Sequence, residues 1–351
     1  MLATKSRSTE LCRPSNRMMV DDKVSPASTA TTQKPAVLNL ANLRFAWRLY
    51  VVYFAFGVIF LTFAVTQAGN GFLSVTNLLN IVSETANISV AAVAVAFVIG
   101  AAEIDLSVGA VAGLASVTAA LAVDHWGLAL GVACGLGTGM LIGLVNGALV
   151  TRVGIPSFLV TLGMMGVASG IGMWITSAAP VPIQNDLFNG LFGSGFLGPV
   201  PSLVIWTVIA LIVGHITLRR TSYGRRILAT GGNEVAARFS GINTRNVKYT
   251  ALAVSGLVAG LSGLLYAGRY ESGRYQWGTG DELSVIAAVI IGGASLFGGQ
   301  SSVVGAVVGA LLLTLITNGL ILMGLDISQV QVARGALIIL AVALAKRRLT
   351  A

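Results

Sequence analysis

Leu283–Gly324 reads LSVIAAVIIGGASLFGGQSSVVGAVVGALLLTLITNGLILMG and contains no charged residue. As one helix it would run about 63 Å, twice the roughly 30 Å of a bilayer's hydrocarbon core. The cluster Gly298-Gly299-Gln300-Ser301-Ser302 is the natural place to break it, so the stretch is predicted to cross a membrane twice, over 283–297 and 303–323. Eight further apolar runs lie outside it, at 47–67, 78–100, 106–123, 128–150, 155–177, 203–218, 249–268 and 331–345. The composition agrees: 55% hydrophobic and 10% charged residues with a mean hydropathy of +0.84, against about 25% charged in soluble domains. The expected fold class is all-α, a polytopic transmembrane bundle of about ten spans (range 8–11).

The formal charge of +9 does not indicate nucleic acid, because of where it sits. With a cytoplasmic N-terminus and ten spans, 19 of the 22 Lys/Arg fall on the cytoplasmic side, and only Arg269, Arg274 and Arg334 fall outside. That asymmetry is the positive-inside signature and predicts that both termini are cytoplasmic. Six acids, Asp124, Asp186, Glu271, Asp281, Glu282 and Asp326, are assigned to outer segments. Residues 1–44, rich in Ser, Thr and Pro without an apolar run, are read as a disordered cytoplasmic tail, 45–346 as the membrane domain and 347–351 as a short tail. The first apolar run starts late and is long enough to span, so no cleaved leader is expected. Cys12 and Cys134 cannot pair and lie in no metal-ligand spacing.

Thr217–Thr250 is the longest polar connection on the basic side and reads as a loop meant for a partner. Within it Asn233 is a good N-cap, Glu234 sits in the first turn and Gly241 suits the left-handed position after a helix end. A helix of about two turns is predicted, too short to persist without a supporting surface. The sequence has no room for a soluble catalytic domain and no G-x-x-x-x-G-K-[ST] phosphate loop, so ATP hydrolysis is not expected of this chain.

Gly131, Gly135, Gly139, Gly143 and Gly147 recur every fourth residue, as do Gly109/Gly113, Gly256/Gly260 and Gly305/Gly309. These stripes predict close helix crossings. Val108–Leu114 and Val304–Ala310 form a weak internal repeat, as do the Asn-Gly pairs at 146–147 and 318–319.

Ionisable groups within the apolar region are few: Glu84, Glu103, Asp105 and His215. Each is a functional candidate because burial there is costly. Glu103 and Asp105 would lie on different faces of a helix, so no carboxylate dyad is expected. Asp105 is read as the N-cap of a helix starting at Leu106, in a broken span. The uncharged polar residues Asn77, Asn80, Asn87, Asn146, Ser157, Thr161 and Asn318 offer donors and acceptors with little fixed charge, which suits a neutral polyhydroxylated solute. The candidates for a translocation path are Asn80, Asn87, Glu103, Asp105, Asn146, Thr161 and Asn318.

From about residue 45 onward the chain resembles the membrane permease subunits of bacterial ABC importers for ribose, xylose, arabinose and related monosaccharides. The resemblance rests on Glu103–Gly109 (EIDLSVG), Gly143–Gly147 with Ile155–Gly163, Ala229–Ile242 (ATGGNEVAARFSGI) and Glu282–Gly293 with Gly298-Gly299. Ala101-Ala102 stand where the family often has glycines, and the N-terminal tail is longer than usual. The resemblance implies an inner-membrane homodimer with two ATPase subunits at the cytoplasmic side and a soluble extracytoplasmic sugar-binding protein. ATP and Mg would be held by the ATPase, and no cofactor or metal by this chain. It also implies that 233–240 is a coupling helix seated in the ATPase. Gly232, Asn233 and Gly241 would shape it, Ala236 and Ala237 would allow close approach, and Glu234 and Arg238 would set its orientation. Polyols, inositols, furanose signals and branched-chain amino acids remain alternative cargoes, and an ATPase-independent transporter or a non-transporting scaffold the alternative classes.

Overall fold

The computed structural model describes residues 40–347, with side chains over most of that range. The readings of 1–39 and 348–351 as tails lie outside the described residues, and 40–44, read as tail, already belong to the first helix. Ten helices make the bundle: α1 (Leu40–Thr66), α2 (Val75–Gly100), α3 (Val108–Trp126), α4 (Leu128–Ala148), α5 (Ser157–Thr176), α7 (Ser202–Arg220), α10 (Thr244–Arg269), α11 (Asp281–Ile291), α12 (Val303–Leu322) and α13 (Ile327–Arg347). Three short helices complete the described set: α6 (Asp186–Asn189), α8 (Ser222–Gly232) and α9 (Glu234–Phe239). Seven of the helices are long and apolar enough to cross a membrane, and shorter apolar helical stretches lie at Val52–Thr66 and Ile327–Leu340.

The helices α2, α3 and α10 are largely enclosed by the others, whereas α4, α5 and α7 turn much of their apolar surface outward. Without a hydrophobic drive between helices in lipid, such a centre is held by close packing and internal hydrogen bonds. The glycine stripes supply the packing. A Cβ on Gly139 would lie 2.2 Å from the Gly256 carbonyl oxygen of α10, and one on Gly256 would lie 2.3 Å from that of Gly139. Gly305 and Gly309 let α12 approach α11 at Gly292 and Ala288 in the same way.

Two departures from the sequence reading shape the fold. The span expected at 283–297 is only the eleven-residue α11, about 16 Å long and too short to cross a bilayer alone. The remaining depth is taken by a non-helical strap, 270–280, which descends along α3. A Cβ on Gly273 would meet Ser116 and Ala120, and one on Gly278 would meet Gly109, so the strap runs about 15 Å down the helix. Ser116 pins it by accepting from Arg274 N and donating to Arg274 O, both at 3.1 Å. Secondly, the first half of the connection read at Thr217–Thr250 is helical: α7 continues to Arg220 and α8 follows from Ser222. The Thr221 hydroxyl accepts from Gly224 N at 3.2 Å, and Gly224, Ile227 and Gly231 form its buried face while Arg225 and Arg226 stay exposed. Three glycines in eleven residues lower its intrinsic propensity and hide it from sequence reading.

Between α5 and α7 the chain forms β1 (Val181–Pro182), α6 and a small hairpin of β2 (Phe196–Leu197) and β3 (Val200–Pro201). Antiparallel pairing of β1 with β4 (Ser272–Gly273) ties this connection to the strap.

The α4–α10 crossing gives a direct test. Gly139→Val is expected to lower the detergent melting temperature by several degrees or abolish folding, since overpacking costs about 1–3 kcal/mol. Gly137→Val, two residues away with nothing within 4 Å, is expected to change it little. Size-exclusion profiles and thermal melts of the two variants make the comparison.

Candidate functional site: the joint at the basic end of the bundle

The N–H groups of Ala101, Ala102 and Glu103 close the end of α2 on the carbonyls of Phe97, Ile99 and Val98, and from Ile104 the chain turns back into the bundle without helical hydrogen bonds. In an apolar bundle each exposed backbone group must find a partner in the protein. Ile104 N donates to Ser157 Oγ and Leu106 N to Thr161 Oγ1, both at 3.1 Å. Asp105 Oδ1 accepts from Ser107 N at 2.9 Å and from Ser107 Oγ at 2.6 Å, and its Oδ2 accepts from Ser255 Oγ of α10 at 2.7 Å. Asn146 Nδ2 of α4 donates to Ser107 Oγ at 3.0 Å.

These contacts correct the local sequence reading. The helix begins at Val108, not Leu106, and its N-cap position is Ser107, with Asp105 holding the turn two residues ahead. Because 103–105 is not helical, the opposite-face argument for Glu103 and Asp105 does not apply. Their separation follows from different partners instead: Asp105 turns to serines and Glu103 to a lysine.

Glu103 is 9% exposed and accepts from Lys248 Nζ of α10 at 2.7 Å. The same ammonium lies 2.8 Å from Glu234 Oε2 of α9. Glu234 Oε1 in turn accepts from Arg238 at 2.5 Å and from Thr244 Oγ1 at 3.1 Å. One lysine thus joins the short helix to the break between α2 and α3. The backbone makes a second joint there. A Cβ on Gly231 would lie 2.0 Å from the Gly100 carbonyl oxygen, and Gly299 N donates to that same oxygen at 3.1 Å. The α8–α9 elbow, the end of α2 and the break between α11 and α12 meet at these glycines.

Asn233 caps α9 by accepting from Ala236 N at 2.9 Å, and Gly241, with φ +81°, follows its last turn. Ala237 is 5% exposed and faces its own chain, which corrects its assignment to a partner-facing surface. The outward apolar side chains are Val235, 64% exposed, and Phe239, 89% exposed, with Ala236 beside them. Gly232 and Arg238 are also exposed.

The remaining path candidates do not gather into one channel. Asn146, Thr161, Glu103 and Asp105 all serve the 101–107 break. Asn318 of α12 and Asn77 of α2 exchange two side-chain hydrogen bonds, at 2.9 and 3.1 Å, and staple their helices together. Asn80 is exposed on α2, and Asn87 is buried with its Oδ1 unpartnered. Sequence reasoning missed the polar face of α10. Lys248, Ser255 and Ser262 recur every seventh residue, with Tyr266 four further on, so they share one side of the helix. They contact Glu103, Asp105, the Asn87 carbonyl and Asp281 in turn. That spacing was the available signal.

The arrangement is an amphiphilic helix presented outward and wired to the interior, with no catalytic constellation or metal-ligand cluster among the described residues. Residues 77–342 match the family described as the branched-chain amino acid transport system / permease component. The chain belongs to this family of transport permeases. Similar proteins include the probable ABC transporter permease protein YphD of Escherichia coli K12, 39% identical over 288 residues (81% of this chain, 85% of that protein). The ribose import permease protein RbsC of the same strain is 38% identical over 283 residues (79% and 88%). The L-arabinose ABC transporter permease protein AraH of Azospirillum brasilense is 33% identical over 324 residues (91% and 94%). No solved structure is detectably similar. The permease is a multi-pass membrane protein.

Glu234 is the group at this joint whose titration reports on it. The hydrogen bond from Lys248 lowers its carboxyl from 4.5 to about 2, against partial burial, with Arg238 and Thr244 assisting. A depressed folded pKa means that the stabilisation is complete above about 4.5 and is lost as pH falls through about 2. A third of the side chain is exposed, so solvent screening keeps the contribution small. In a carboxyl-carbon NMR titration, Glu234 is expected to titrate near 2 in the wild type and to return toward 4.5 in Lys248→Met.

Proposed function

We propose that this permease is the membrane subunit of an ABC importer that carries a monosaccharide inward across the bacterial cytoplasmic membrane. The basic end of the bundle is its cytoplasmic face, where α9 seats in a separate ATPase subunit. ATP and Mg belong to that subunit, and this chain needs no cofactor. A second copy of the permease completes the path, and an extracytoplasmic sugar-binding protein delivers the cargo. The observation that carries the reading is the exposed Val235–Phe239 face of a capped six-residue helix tied through Glu234 and Lys248 to the intramembrane break at Glu103.

Transport then follows from alternating access. Closure of the ATPase pair displaces both α9 helices. Each one moves the start of α10 through Lys248 and the ends of α2 and α11 through the Gly100–Gly231–Gly299 contact, and the path opens to one side at a time. The ribose and L-arabinose relatives support a sugar over the amino acid in the family's description. Two of the interior acids support it too: Glu103 is matched by Lys248 and Asp281 by Arg334, so neither is left as a counter-charge for a zwitterion.

The test is reconstitution in vesicles with the ATPase and the binding protein, measuring ATP-dependent uptake of labelled pentoses and hexoses beside leucine. Sugar uptake is expected, and Phe239→Asp is expected to reduce it at least tenfold while the permease stays folded. Uphill sugar accumulation by the permease without the ATPase would overturn the reading, and leucine uptake in preference to sugars would overturn the cargo.

A further inference from the structure

A second polar cluster lies away from the coupling joint. The strap 270–280 delivers Asp281, the first residue of α11, against α10 and α13. Its carboxylate accepts from the Tyr266 hydroxyl and, at 3.1 Å, from Arg334. The sequence reading had assigned Asp281 and Arg334 to outer segments. The structure brings them together beside a cavity of about 10 Å³ whose polar lining is Asn87, Ser262, Tyr266 and Asp281. That is the room needed for one water molecule, or for one hydroxyl group.

Three features show what would fill it. Asn87 is 3% exposed and lines the cavity, yet its Oδ1 finds no donor in the chain. A buried amide oxygen left so is destabilising and calls for a donor from elsewhere. The Asp281 charge is already matched by Arg334, and Glu282 Oε2, beside Gly109 of the lining, accepts from Gly280 N, so Asp281 offers a neutral hydroxyl a better fit than an ammonium or a carboxylate. Tyr266 also stacks on Trp277, with ring centroids 6.2 Å apart, and Trp277 stacks on Tyr270 at 4.4 Å. Aromatic faces beside acceptor oxygens suit a sugar, whose C–H face is apolar and whose edge is hydroxylated. The notch is not sealed: Tyr266 and Asp281 are half-buried, and the neighbouring Thr279 and Gly280 are exposed.

We propose that this notch is a hydroxyl-reading subsite on the wall of the translocation path. One substrate hydroxyl donates to Asn87 Oδ1 and shares the Tyr266–Asp281 hydrogen bond, while the sugar ring rests against the Tyr266–Trp277 stack. The assignment rests on the monosaccharide reading for its ligand class and adds the residues that contact it.

The experiment uses vesicles holding permease, ATPase and binding protein, with a monosaccharide and its monodeoxy analogues as labelled cargoes. Wild-type uptake of the parent sugar first establishes the reading beneath; its absence would defeat that reading and the subsite with it. Asn87→Leu is then expected to reduce parent-sugar uptake at least tenfold and to erase the discrimination against one deoxy analogue. The binding protein is the same in both assays, so loss of that discrimination is a property of the permease. Ala91→Val, which fills the notch without removing a polar group, covers the case in which Asn87→Leu does not fold, and is expected to act in the same direction. A folded variant with unchanged uptake and an unchanged deoxy pattern would mean that the notch holds only water, and would overturn the subsite.

Discussion

The structure depends on one constraint: no backbone N–H or C=O can be left unpaired inside an apolar bundle. The chain breaks its helices within that bundle after Gly100 and after Ile291, among other places, and each of these breaks exposes such groups. For the first, Ser157 and Thr161 on α5 accept from the backbone N–H groups of Ile104 and Leu106, while Asn146 on α4 and Ser255 on α10 hold the side chains of Ser107 and Asp105 that brace the turn. For the second, Ser301 Oγ donates to Ala96 O of α2 at 2.7 Å, and Gly299 N to Gly100 O. Satisfying the breaks therefore fixes the arrangement of the helices around them.

Glycine makes the same joints mechanically stiff. Where Gly231 touches Gly100 and Gly299, and where Gly139 touches Gly256, backbone lies on backbone with no side chain between to absorb a displacement. Packed interiors of this kind move between discrete arrangements more readily than they deform. A push on α9 is passed to α2, α10 and the α11–α12 break together, because all meet within a few residues.

Apolar run length made the bundle legible in sequence, and Asn233, Glu234 and Gly241 marked α9 through cap chemistry that depends on neighbouring residues alone. Two things were not legible, for different reasons. The strap 270–280 has the composition of an external loop, and only its contacts with Gly109, Gly113 and Ser116 draw it into the bundle. Asp281 and Arg334 consequently read as outer residues, although they pair beside α10. The polar residues of 101–107 stood out as costly, but cost alone does not separate a group facing a solute from one repairing a broken helix. Asp105, Asn146 and Thr161 belong to the repair. The outward side of α9 was misjudged at Ala237 because a six-residue helix has too few turns for its buried face to be read from periodicity.

The polar stripe of α10 links the two ends of the bundle's interior. Lys248 and Tyr266 are 18 residues apart on one unbroken helix, about 27 Å along its axis. At one end Lys248 holds Glu234 of α9 and Glu103 of the break; at the other Tyr266 holds Asp281 at the start of α11. Between them Ser255 and Ser262 fasten the same rod to Asp105 and to the Asn87 carbonyl. A helix fastened at four levels along one face shifts or rotates as a unit. Movement at its basic end then changes the geometry beneath the strap, so the groups that hold α9 and the groups that line the cavity belong to a single mechanical element.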